Sequence, residues 1–169
     1  MTDFPKTTRY TATTKLACDI ARTRADRFNE AVHADFYPCA PKTTPGKARR
    51  FDVNDIIALR LYQRFMDGGM SAKAAGAKAC SIRDFLRAYP EADQVFIVKT
   101  AFDDGDAENG EYREGYVLPE FDPKEQSIKI NADQSLGVVS VECHNLHFLR
   151  GLIVHEINEA ALTVGGESA

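Results

Sequence analysis

Pro90 separates two stretches written in different hydrophobic periods, and that change of period constrains the fold more than any single motif. Before it, TTKLACDIA, ADRFNEAVHADFY, VNDIIALRLYQRFMDGG and SAKAAGAKACSIRDFLRAY each bring apolar residues back at about the 3.6-residue helical period. Four helices are predicted there. Thr13 or Thr14, Asp52 and Ser71 stand where a side-chain oxygen accepts the unpaired amide hydrogens of a first helical turn. Gly68 and Gly69 stop the third helix, and Pro90 follows the fourth. Between the second and third helices, YPCAPKTTPGKARRF holds Pro38, Pro41, Pro45 and Gly46 with four basic residues, which predicts a cationic loop.

After Pro90 the apolar runs shorten to VFIVKTAF, EGYVLPEF, QSIKINA and GVVSVEC, separated by DDGDAENGE, DPKE and NADQS. Three or four antiparallel strands are expected from that pattern. The segment NLHFLRGLIVHEINEAALTVGG puts Leu146, Leu149, Ile153, Ile157, Ala160 and Val164 on one stripe of a last helix. With Leu152, Val154 and Ala161 added, the stripe is wider than a small sheet needs. Leu146, Leu149, Ile153 and Ile157 are therefore expected to dimerise the chain. The expected fold class is α+β, with an all-helical unit over 11–89 and an acidic α+β unit over 92–165.

A length of 169 residues supports one good core or two small ones. Hydrophobic and charged fractions of 44% and 27% fit an ordinary globular chain and exclude disordered or collagen-like classes. No apolar run is long enough to cross a bilayer, and MTDFPKTTRYTATTK lacks the order of a signal peptide, so cytoplasmic location is expected. Cys18, Cys39, Cys80 and Cys143 include no CxxC pair and are expected to be reduced thiols.

The net charge of −4 conceals two opposite halves. Residues 1–89 hold 16 Lys and Arg against 9 Asp and Glu, or +7, whereas residues 90–169 hold 5 against 16, or −11. A cationic half can release counterions from phosphates that an anionic half would repel, so any nucleic acid should meet the first half.

Two helices joined by a tight turn, then a basic loop, then a third helix, follow the order of a winged helix-turn-helix. The stretch RRFDVNDIIALRLYQRFMDGGMSAKAA resembles the second half of the MerR-family DNA-binding domain: a basic-aromatic wing end at Arg49, Arg50 and Phe51, an acidic helix start, a Leu-rich helix and a Gly-Met-Ser entry into the next. Leu16-Ala17 and Pro38 extend the resemblance over about 11–88. The family's second helix carries an Arg-Tyr-Tyr-Glu-like run followed by Gly-Leu. Here RFNEAVHADFY has no glycine before Phe36, so base preference does not carry across. The family's long dimerising helix is also replaced by strand-like segments.

The resemblance implies a DNA-binding transcriptional regulator, expected as a homodimer on a twofold-symmetric operator in duplex DNA. Arg22, Arg24, Arg27 and Asn29 are the candidate base readers, because guanidinium forks fit guanine edges and a side-chain amide fits adenine. Lys42, Thr43, Thr44, Lys47, Arg49 and Arg50 are candidate phosphate or minor-groove contacts. Arg60 and Arg64 form a weaker pair of the same kind. The alternatives are a protein-binding adaptor or antitoxin-like module, and an excisionase-like architectural protein. An effector, protein or small molecule, remains open for the acidic half.

Cys143, His144 and His147, with His155, offer metal-binding atoms, but their spacing matches no closed site, so no metal or other cofactor is expected. DDGDAENGEYREG fails the glycine and glutamate positions of a calcium loop. No GxSxG, Walker-type loop, GxGxxG or HExxH occurs, and an enzyme is not expected.

Overall fold

In a computed structural model, which describes residues 10–100 and 115–166, the chain is a mixed α and β protein with antiparallel sheets. The order is β1 (Ala12–Thr13), α1 (Thr14–Ala21), α2 (Ala25–His33), β2 (Arg50–Phe51), α3 (Val53–Asp67) and α4 (Ala72–Ala88), then β3 (Gln94–Thr100), β4 (Tyr116–Leu118), β5 (Ser127–Asn131), β6 (Gln134–Asn145) and α5 (Leu146–Gly166). The expected turn DDGDAENGE and Val164 fall outside the residues whose side chains are described.

The caps explain where the helices begin. Thr13 Oγ1 accepts the Leu16 N–H at 3.4 Å, and Ser71 Oγ accepts the Ala74 N–H at 3.2 Å. At α3 the Asp55 N–H donates to Asp52 Oδ1 at 2.8 Å while the Asp52 N–H donates to Asp55 Oδ2 at 2.9 Å. That reciprocal pair satisfies two amide donors which the helix itself leaves unpaired. Helix α1 ends on Arg22 at φ 60°, and Asp35 after α2 takes φ 58°. These left-handed positions reverse the chain without glycine, and an Asp there is tolerated better than most side chains.

Strands β1 and β2 pair antiparallel, Ala12 opposite Phe51, so the end of the basic loop is tied back to the start of α1. The larger sheet runs β4-β3-β6-β5, antiparallel throughout. Alternation along β3 sends Val95 and Ile97 inward to 0% and 1% exposure. Opposite them on β6 stand His144 and Glu142. The outer face carries Val139 and Val141, 50% and 37% exposed.

One hydrophobic cluster holds Ala17, Phe28, Ile57 and Leu86 together with Val95, Ile97, Leu146 and Ile153. The expected units 11–89 and 92–165 thus share a single core, because α5 packs on α3 and α1 as well as on β3, and α4 meets β4. Leu146, Leu149, Ile153 and Ile157 belong to that core, at 0%, 7%, 0% and 8% exposure. The stripe assigned to dimerisation is therefore covered by this chain's own helices and is withdrawn as an interface.

The thiol expectation also changes. Cys39, just beyond α2, is bonded to Cys80 of α4, with Cα atoms 5.5 Å apart, inside the usual disulfide range. Close backbone approach brings them together: a Cβ added at Gly76 would lie 1.7 Å from the Phe36 carbonyl oxygen. Only glycine lets the corner after α2 sit that close to α4. Cys18 and Cys143 are free, the first buried and the second exposed. Among the described residues no helix is long and apolar enough to span a membrane.

Candidate nucleic-acid interface

The turn between α1 and α2 is held from both sides. Arg22 N–H donates to the Asp19 carbonyl at 3.2 Å and Thr23 N–H to the Cys18 carbonyl at 3.0 Å. Beneath it, Phe28 meets Tyr37 and Phe51 edge to face at centroid distances of 5.4 and 5.6 Å, and Tyr37 meets Tyr62 at 5.1 Å. These aromatic pairs fix α2 and the loop's two ends on one buried cluster. Burial pushes the Tyr37 hydroxyl far above its ordinary range, so it stays protonated there.

The candidate base readers stand in different environments. Arg22 is exposed, with Nη2 3.8 Å from Glu156 Oε1 of α5, a carboxylate that Arg60 approaches at the same distance. Arg24 is turned back on its own helix: Nε donates to Asp26 Oδ1 at 3.1 Å and Nη2 to Oδ2 at 2.5 Å. The hydrogen bond from Arg24 lowers the Asp26 carboxyl below its usual range. Arg27 and Asn29 are exposed on α2, beside the equally exposed Asp26 and Glu30. Arg22, Arg24 and Arg27 line one groove of about 630 Å³ floored by Ala31, Tyr62 and Met66. Two of the three thus already face carboxylates, a feature that Asp26, two residues after Arg24, signals in the sequence.

The loop cations are arranged differently. Lys42, Thr43, Thr44, Lys47 and Arg50 are exposed. Among the described residues, no carboxylate lies within ion-pair distance of Lys42, Lys47, Arg49 or Arg50. Arg49 is half-buried, its guanidinium carbon 5.7 Å from the Phe28 ring centre, and its Nε and Nη1 have no acceptor among the described residues. A ring face under a guanidinium orients it without neutralising it. Arg49 lines a hollow of about 340 Å³ with Lys42 and Thr43, and the Asp35 carboxylate lines it too, so the hollow presents two cations, a hydroxyl and one anion. Of the weaker pair, Arg60 donates to the Ile20 carbonyl at 2.8 Å and serves the fold, whereas Arg64 is exposed.

The remaining candidates separate likewise. His144 Nε2 and Glu142 Oε1 are 2.6 Å apart, His147 Nδ1 stands 3.7 Å from Asp93, and Cys143 lies on the outer face of the sheet. Among the described residues no group of three His, Cys, Asp or Glu side chains converges on a metal-sized space. Lys78, 3% exposed, pairs with Glu142 at 2.5 Å and lies 4.2 Å from the Phe65 ring centre. Burial alone would raise the Glu142 carboxyl, but hydrogen bonds from His144 and Lys78 outweigh it and hold the group down at about 2. This buried network ties α4 to β6, and nothing in the sequence pattern announces it. The chain matches no protein-family model, and no curated protein is similar to it.

Proposed function

We propose that the chain binds duplex DNA as a transcriptional regulator, its N-terminal portion laid out as a MerR-like winged helix-turn-helix. The observation that carries the reading is the set of four loop cations without carboxylate partners among the described residues: Lys42, Lys47 and Arg50 exposed, and Arg49 seated over the Phe28 ring of the aromatic base. In that layout α1 and α2 are the two helices of the motif, the loop after α2 is the wing, and Asp35 occupies the left-handed position where the family has glycine.

Lys42, Lys47, Arg49 and Arg50 supply affinity through phosphates, while Arg27 and Asn29 reach base edges from α2. Arg24 contributes less than its place suggests, because leaving Asp26 has a cost. A homodimer on a twofold operator remains part of this reading, with its contact outside the buried stripe of α5. The protein-binding adaptor is the second reading, favoured by the exposed Asp26 and Glu30, which face whatever α2 touches.

Mobility shifts on genomic duplex fragments over a salt series separate the two. Lys47→Ala/Arg50→Ala should weaken all sequences alike and flatten the salt slope by about 2, close to one unit for each phosphate no longer neutralised. Arg27→Ala should weaken the preferred sequences most. Absence of any shift by the parent chain at low salt would overturn the DNA reading in favour of the adaptor.

A further inference from the structure

We propose that Cys39–Cys80 is a redox-active disulfide, opened by small thiols from a hollow beside the basic loop, and that opening it releases that loop from α4. The two cysteines are unequally placed. Cys80 is 7% exposed, whereas Cys39 is only half-buried and lines a hollow of about 510 Å³ with Lys42, Arg50, Arg83 and Arg87. Asp52 and Asp55 are the carboxylates of that hollow, leaving it two charges positive. Asp55 is engaged by Arg83 at 2.7 Å, and Arg87 lies 3.5 Å from both carboxylates. Lys42 and Arg50 are left to face an incoming anion.

Such a setting favours thiolate over thiol, and thiolate is the species that exchanges. A small thiolate attacks Cys39 Sγ, the sulfur within reach. The disulfide breaks, and the electron pair leaves on Cys80 Sγ, toward which the Cys39 N–H already points at 3.3 Å. A second thiolate then attacks the outer sulfur of the mixed disulfide and expels Cys39 as a thiolate beside Lys42 and Arg50. Two small thiols are oxidised to one disulfide, the protein gains two reduced cysteines, and the two thiol protons pass to them or to solvent. Cys18 does not compete, because burial, with Asp19 nearby, pushes its thiol up to about 11.

The loop has little else to hold it to α4. Hydrogen bonds by the backbone amides of residues 40–48 stay local, Ala40 N–H to the Tyr37 carbonyl and Lys47 N–H to that of Thr44. The bond spans 41 residues of sequence and joins the loop's first residues to α4. Phe36 remains packed over Gly76 and β2 remains paired whatever the state of the sulfurs, so release is confined to the cationic segment between them. The effect on nucleic acid rests on the function proposed above; the exchange and the release of the loop do not.

The test uses the full chain equilibrated with oxidised glutathione or with dithiothreitol. Peptide mass spectrometry after alkylation should find the 39–80 linked peptide in the first and none in the second, without denaturant. Trypsin should then cut after Lys42, Lys47 and Arg49 about tenfold faster in the reduced protein, since cleavage follows the population of the open loop. Cys39→Ser should be cut at the reduced rate in both buffers. Failure to form the linked peptide, or equal cutting rates in the two states, would overturn the proposal. Mobility shifts run in parallel should differ several-fold between the states. No shift in either state sinks the DNA reading alone and leaves the thiol result standing.

Discussion

The helices before residue 90 and the sheet after it secure themselves in different ways. Helices α1, α3 and α4 start on side chains three residues from the amides they cap, and the chain between them turns on local backbone geometry. The sheet draws its inner support from elsewhere: Val95 and Ile97 are buried in a cluster shared with residues of α1, α3, α4 and α5. Its outer face keeps Val139 and Val141 in partial contact with solvent. The first region is specified by near neighbours, the second by residues distant in sequence, and the second should be the more sensitive to remote changes.

The largest test of that contrast is Ile153→Ala, which removes a fully buried side chain of α5 shared by both regions. A loss of about 3 kcal/mol is expected, combining transfer and cavity effects. Far-UV circular dichroism during urea unfolding should show one transition, displaced as a whole. Two separated transitions, with the helices holding at the parent midpoint, would break the single-core account.

Next in size is Glu142→Gln, which leaves Lys78 buried without its anion and should cost about 2 kcal/mol once the partial exposure of the carboxylate is discounted. The pH dependence has a definite sign. The folded carboxyl sits at about 2, below its ordinary value of 4.5, so its stabilisation is complete above about 4.5 and is lost as pH falls toward 2. The parent should lose stability across that window more steeply than Glu142→Gln. Equal slopes would show that the network does not link the regions energetically.

The smallest effect sharpens the local side of the comparison. Ser71→Ala removes the cap of α4 and should cost about 1 kcal/mol, shown as a shifted urea midpoint without a change of slope. A much larger loss would mean that α4 depends on more than its own first turn.

Legibility in the sequence follows the same division. Thr13, Asp52, Ser71, Gly68 and Pro90 mark boundaries that the fold respects, because caps and breakers act within a few residues. Leu146 and Ile153 are readable as a stripe but not as to what covers it, since helical period is the same against a sheet, a helix or a second copy. The Cys39–Cys80 bond is invisible because the residues join a loop to a helix 41 positions away, where spacing carries no signal. Of the candidate site, residue type and clustering are legible for Lys42, Lys47 and Arg50. The capture of Arg24 by Asp26 and the seat of Arg49 over Phe28 depend on rotamers and on distant packing.

Glu156 stands on the terminal helix yet ends between Arg22 and Arg60, one at the corner that launches α2 and the other on α3. A sliding of that helix by one turn would carry the carboxylate roughly 5 Å along its axis and out of reach of both guanidiniums. The rear of the molecule is thereby geared to its front, and strain applied at one end is delivered to the other as a change in the company Arg22 keeps.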